Sequence, residues 1–140
     1  MFSFPIRVYW EDTDAGGVVY HANYLCFLER ARTEWVRAHG IEQQALREQE
    51  DLVMAVREMR IDFIKPARLD DLLQVSVCLT ERRPASFLVT QELFRGHECL
   101  LRAQVRIACL HASTFRPRAM PKWLVPELHS TDSSTGDSIR

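Results

Sequence analysis

The chain has 140 residues, 46% of them hydrophobic and 26% charged, with a formal net charge of −1. A chain of this length buries about two-thirds of its unfolded surface in one domain, and so balanced a charge excludes a nucleic-acid binder held by overall charge. No apolar run approaches the roughly 20 residues needed to span a bilayer. The opening MFSFPIRVYWEDTD lacks the basic and apolar regions of a signal peptide, so a cytoplasmic protein is expected.

Four cysteines (Cys26, Cys78, Cys99, Cys109) stand far apart, with no C-x-x-C and no matching histidine spacing. Three of them fall inside apolar patterns. They read as small buried hydrophobes in a reducing compartment rather than as ligands or disulfides.

In chain order, residues 4–10 (FPIRVYW) are rich in β-branched and aromatic side chains and read as a first strand, with Pro5 suited to an edge. EDTDAGG then supplies turn chemistry. From Ala22 to His39 the period changes. Tyr24, Phe27, Leu28, Ala31, Trp35 and Ala38 recur at steps of three and four, which predicts one long amphipathic helix. Arg30 and Glu34 are spaced as an i,i+4 pair on its wet side, and Gly40 is a natural stop.

Residues 41–50 predict a short, mostly solvated helix. In the run MAVREMRIDFI, Met54 and Val56 alternate in one phase while Met59, Ile61 and Phe63 alternate in the other. That slip predicts a β-bulge at Arg57-Glu58. Leu73 to Leu79, residues 86–94, and Leu101 to Cys109 predict three further strands, with Arg95-Gly96-His97-Glu98 as a hairpin connection. After His111 prolines punctuate the chain, which ends in the compositionally disordered STDSSTGDSIR. One domain over residues 1–125 with a disordered tail over 126–140 is expected.

The order is therefore strand, long helix, then four strands with tight connections. One helix cannot cover both faces of a parallel sheet. The economical arrangement is an α+β fold in which one long central helix is wrapped by a curved antiparallel sheet of about five strands. An exposed sheet edge argues for at least a homodimer.

The run EDTDAGGVVYHANYLCFLERARTEW, together with IDFIKPARLDD and the late RPRAMPKWL, closely resembles the hotdog-fold acyl-CoA thioesterases. Within them it is most similar to the Tol–Pal-associated (YbgC-like) branch, related to 4-hydroxybenzoyl-CoA thioesterase. The resemblance implies a hotdog fold, active sites at a dimer interface, dimers or tetramers, and an acyl-CoA substrate with CoA as product. It implies no cofactor or metal, and leaves an acyl-carrier protein as a further partner. Residue by residue, it implies that Asp14 is the catalytic carboxylate and that the backbone N–H of His21 polarises the thioester carbonyl. Tyr20 then walls the site, and Gly17 sits with Gly16 where the backbone must approach the ligand without a Cβ.

Each residue also has a plainer reading. Asp14 is a natural Asx-turn former. His21 could act through its imidazole or be an ordinary first-turn residue. Glu11, Asp12 and Asp14 could chelate a divalent cation, but no further ligand arrives at suitable spacing, and Glu11 and Asp12 receive no catalytic role. Lys65, Arg68, Arg82, Arg83, Arg116, Arg118 and Lys122 are all candidates to meet the CoA phosphates, with none singled out. The competing function is a hotdog interaction protein of an envelope or lipid-synthesis complex with weak hydrolase activity. A hotdog hydratase is a weaker third.

Overall fold

In the computed structural model, whose described residues are 2–124, a five-stranded sheet wraps one long helix. The elements are β1 (Phe2–Arg7), a 3-10 turn (Trp10–Asp12), α1 (Asn23–Ala38), α2 (Gln43–Glu50), β2 (Leu52–Phe63), β3 (Leu72–Arg83), β4 (Ser86–Arg95) and β5 (Glu98–His111). The sheet order is β1-β3-β4-β5-β2, antiparallel throughout. This is the wrapped-helix α+β arrangement expected from the element order, and the hotdog fold that the resemblance implied. The tail expected over 126–140 lies outside the described residues.

The alternating strands place Ile6, Leu73, Val75, Val89, Leu93, Leu101, Ala103 and Val105 on one face, all buried. Against them α1 sets Phe27, Leu28, Ala31 and Trp35, none of which retains any exposure. Each large side chain so buried contributes roughly 1.5–3 kcal/mol of transfer free energy. Gln91 is the polar exception on that face. It accepts from the Arg32 guanidinium at 3.0 Å and donates to the Leu28 carbonyl at 3.1 Å, fastening the middle of α1 to β4. Burial lowers the pKa of Arg32 from its usual value.

The slip at Arg57 is a true register shift, between Val56 and Glu58, and two more occur at Leu79/Glu81 and Leu93/Phe94. Each local disruption sharpens twist, which is how five strands curl around a single helix. β3 consequently runs past its predicted end at Leu79 as far as Arg83. Beyond the shift Glu81 is half-buried, and Arg82 and Arg83 are both exposed.

Several details differ from expectation. β1 ends at Arg7, not Trp10, because the 3-10 turn bends the chain and leaves Tyr9 and Trp10 exposed. The helical stripe ends on buried Val36, with Ala38 exposed at the last turn. Glu34 pairs with Arg37 at 2.7 Å, while the Arg30 guanidinium lies 5.8 Å from the centre of the Phe27 ring, so the Arg30–Glu34 pair does not form. Of the cysteines, only Cys78 and Cys109 are buried; Cys99 is half-buried and Cys26 faces solvent on the outer side of α1. The segment after β5 is anchored rather than loose, with Met120 donating to the Pro84 carbonyl at 2.8 Å and Leu124 fully buried.

Candidate active site

The loop between β1 and α1 is a small, tight hairpin. Thr13 bridges Val19, the Asp14 amide donates to the Val18 carbonyl at 2.9 Å, and the Gly17 amide returns to the Asp14 carbonyl at 3.0 Å. Gly17 closes the turn at φ 82°, a conformation that L side chains adopt only under strain. Asp14 sits at the tip. One oxygen of its carboxylate, Oδ1, accepts from the Gly16 amide at 2.8 Å, so the Asx-turn reading is realised. Oδ2 receives no hydrogen bond among the described residues. Asp14 borders a cavity of about 570 Å³, lined also by Trp10, Thr13, Ala15, Gly17 and Leu69.

His21 lies at the exit of the same loop, two residues before α1 begins at Asn23. Its ring leans on Tyr20, centroids 4.7 Å apart, and both side chains are exposed. Its amide donates to no backbone acceptor among the described residues. Among the described residues no side chain caps the helix at Ala22. The Asn23 and Leu25 amides turn back to the Tyr20 and Ala22 carbonyls, which leaves the His21 amide ahead of them open to an anion at the positive end of α1. Of the residues expected at a site, Asp14 and Gly17 therefore share one cavity. Tyr20 and His21 stand at the loop's other end and do not line it.

The back of the loop is stitched to the 66–71 connection. Val19 donates to the Ala67 carbonyl at 2.9 Å, Val18 bridges Arg68, and the Ala67 amide donates to the Tyr24 hydroxyl at 3.0 Å. Burial raises the pKa of the Tyr24 phenol. That connection is itself braced by Arg95, which reaches Asp71 and Glu98, each at 2.8 Å, while Lys65 also donates to Glu98. With Lys65 and then Arg95 donating to it, the Glu98 carboxyl is held down at about 2.

Sequence reading missed Trp10 and Leu69 as cavity walls and the Tyr24 hydroxyl as a brace. It also gave no place to Asp12, which is buried and bonded to Asn23. The signal for Trp10 was present: a large aromatic residue standing next to an acidic turn. Of the candidate phosphate-binding residues, Lys65, Arg83 and Arg118 already face Glu98, Glu81 and Glu50. Arg68, Arg82, Arg116 and Lys122 form no ion pair among the described residues. No three His, Cys, Asp or Glu converge as a metal would require among those residues either.

A model of the thioesterase-like superfamily matches residues 8–128. The chain belongs to the thioesterase-like superfamily. One relative is the acyl-CoA thioesterase YbgC of Haemophilus influenzae, 47% identical over 128 residues that cover 91% of this chain and 94% of the relative. Another is the 1,4-dihydroxy-2-naphthoyl-CoA hydrolase of Thermosynechococcus vestitus, 30% identical over 84% of each chain. Among solved structures, a probable thioesterase from Bartonella henselae superposes with a TM-score of 0.81 at 38% identity, covering 85% of this chain and 98% of that one. This thioesterase-family protein thus shares both sequence and hotdog architecture with enzymes that cleave thioesters. No helix among its described residues is long and apolar enough to cross a membrane.

Proposed function

We propose that the protein is an acyl-CoA thioester hydrolase releasing a carboxylic acid and CoA, with Asp14 as the reacting carboxylate and the His21 amide as the donor to the thioester oxygen. The observation that carries this reading is the placement of both groups on one hairpin. At the tip Asp14 lines a cavity and keeps one carboxylate oxygen without a hydrogen-bond partner among the described residues, and an uncapped helix start lies at the exit. The acyl-CoA class of substrate is taken from the relatives' activity.

With the carbonyl oxygen at the His21 N–H, negative charge developing there meets a fixed donor, worth about 3–4 kcal/mol where one such donor has been removed. Asp14 Oδ2 then either attacks the carbonyl carbon to give a mixed anhydride, later hydrolysed, or takes a proton from a water that attacks in its place. In both routes the C–S bond breaks and CoA leaves as a thiolate, so no strong general acid is needed. Gly17 lets the backbone close on the ligand, and Tyr20 walls the site beside His21.

The working unit is a homodimer. Among the described residues β2 is a 12-residue edge strand paired with β5 alone, and Val56 and Phe63 expose 47% and 51% of their surface along it, with Ile64 just beyond its end at 43%. The opposite edge, β1, has only 6 residues and carries Pro5, which blunts it against pairing. β2 against its own copy joins two sheets into one. Four cysteines with no disulfide among the described residues suit a cytoplasmic compartment.

A panel of short-chain, long-chain and aromatic acyl-CoA esters, read by release of free CoA thiol and competed with acyl-carrier-protein esters, tests the reading. Turnover of at least one class supports it. No turnover of any ester, together with a specific protein partner in pull-down, would replace it with the interaction-protein alternative.

A further inference from the structure

The proposed chemistry uses neither Glu11 nor Asp12 of the loop, and while Glu11 is exposed, Asp12 is only 3% exposed. Its Oδ2 accepts from the Tyr9 amide at 2.8 Å and its Oδ1 accepts from the Asn23 side-chain amide at 3.0 Å. Its own backbone adds two more ties, with its N–H donating to the Tyr9 carbonyl at 3.0 Å and its carbonyl accepting from Tyr20 at 2.9 Å. One buried residue thereby holds the entrance of the loop, its exit and the first residue of α1.

His21 lies between two of those anchor points. Tyr20 before it is bonded to Asp12, Asn23 after it is bonded to Asp12, and the Asn23 amide closes the span by donating to the Tyr20 carbonyl at 2.8 Å. Asp14 lies two residues to the other side, and the next hydrogen bonds of the hairpin fix it. The separation between the Asp14 carboxylate and the His21 amide is therefore set through residue 12. Burying a carboxylate is costly unless it is well bonded, and a short neutral residue would pack this corner at lower cost. What the acid supplies is two separate acceptor oxygens, one for each donor, where an apolar side chain supplies none.

We propose that Asp12 and Asn23 form a positioning clamp that fixes the His21 amide relative to Asp14. This rests on the thioesterase reading given above. Asp12 touches no substrate; it acts through the groups it holds. A displacement of about 1 Å between reacting groups costs about 100-fold in rate, so the clamp acts on kcat more than on substrate affinity.

The donor–acceptor geometry provides its own control. In Asn23→Asp a carboxylate at 23 faces the Asp12 carboxylate, acceptor against acceptor, which no rotation of either group relieves. In the exchange double variant Asp12→Asn/Asn23→Asp, Asn at 12 accepts from Tyr9 and donates to the carboxylate at 23, so both bonds return with one reversed. Expected for Asn23→Asp is a kcat about 10- to 100-fold below wild type with KM within about threefold, and a return to within about threefold of wild-type kcat in the double variant. A folded Asn23→Asp protein with wild-type kcat would overturn the clamp, as would a double variant no better than the single. Should Asn23→Asp fail to fold, Asn23→Ala removes only the far half of the clamp while placing a good helix former at the first helical position; the same loss of kcat is expected.

A second readout does not depend on turnover. The amide ¹⁵N resonance of His21 should move in Asn23→Asp and return in the double variant. If the wild type hydrolyses no acyl-CoA ester, the functional reading fails, and this resonance still judges the clamp: an unmoved His21 signal overturns it.

Discussion

Replacing Tyr24 by phenylalanine removes a single oxygen from the protein, and the structure says where the loss falls. The ring keeps its neighbours, Phe27 at 6.1 Å and Phe63 at 5.7 Å between centroids, so apolar burial is unchanged. The Ala67 amide loses the hydroxyl that accepts from it at 3.0 Å. Ala67 has no exposure and Tyr24 only 5%, so water has no easy route to the orphaned N–H. An unsatisfied buried donor costs about 1–3 kcal/mol. Taking about 2 kcal/mol, and about 2–4 °C per kcal/mol for a domain approaching this size, Tm should fall by about 4–8 °C. Thermal and urea unfolding followed by circular dichroism measure it. A change below about 0.5 kcal/mol would mean that the helix start is not fastened to the 66–71 connection through this bond.

The two loop glycines should fail differently. A Cβ at Gly16 would stand 3.2 Å from Asp14 Oδ1, whereas one at Gly17 meets nothing but sits at φ 82°. Gly16→Ala should therefore lower kcat by displacing the carboxylate, while Gly17→Ala should cost about 1–2 kcal/mol of backbone strain in an unfolding titration. Cys109 is fully buried, and burial raises its pKa from 9.0 to about 11. The unfolded thiol ionises first, so stability is whole below pH 9 and should fall by about 1.4 kcal/mol per pH unit toward pH 11. Cys109→Ala should flatten that slope in urea unfolding. Val56→Lys places a charge on the β2 edge and should shift the protein from dimer to monomer in analytical ultracentrifugation. An unaltered dimer would place the interface elsewhere.

What was legible in the sequence followed from periodicity and what was not depended on contacts across the chain. The stripe from Tyr24 to Trp35 and the clean alternation of Leu73, Val75, Val77 and Leu79 announce a helix and a strand because each repeats its own geometry. Even the bulge after Val56 shows, since a phase slip changes which residues are apolar. Arg32 falls on that helical stripe, four residues after Leu28 and three before Trp35, while Arg30 lies on the opposite face. What no local pattern shows is the partner that satisfies a guanidinium there, because Gln91 is 59 residues away.

At the site, Asp14 and the glycines are visible because turn chemistry is local. Asp12 looks like one more acid of the same turn until its bond to Asn23, 11 residues on, is seen. Leu69 joins the cavity only because Val18 and Val19 pair with Arg68 and Ala67. Trp10 reads as the end of a strand because its backbone turn is made by a side chain beyond it.

The most direct test of the central claim is kcat for Asp14→Asn on an acyl-CoA ester that the wild type hydrolyses. Asparagine keeps an oxygen to accept from the Gly16 amide, so the turn survives while the charge and the free carboxylate oxygen are lost. Loss of a reacting acid–base group costs about 100- to 10,000-fold. The expected result is a kcat reduced by that amount, with the circular dichroism spectrum and CoA affinity unchanged. A folded Asp14→Asn protein turning over within tenfold of wild type would contradict the assignment of Asp14 as the reacting carboxylate.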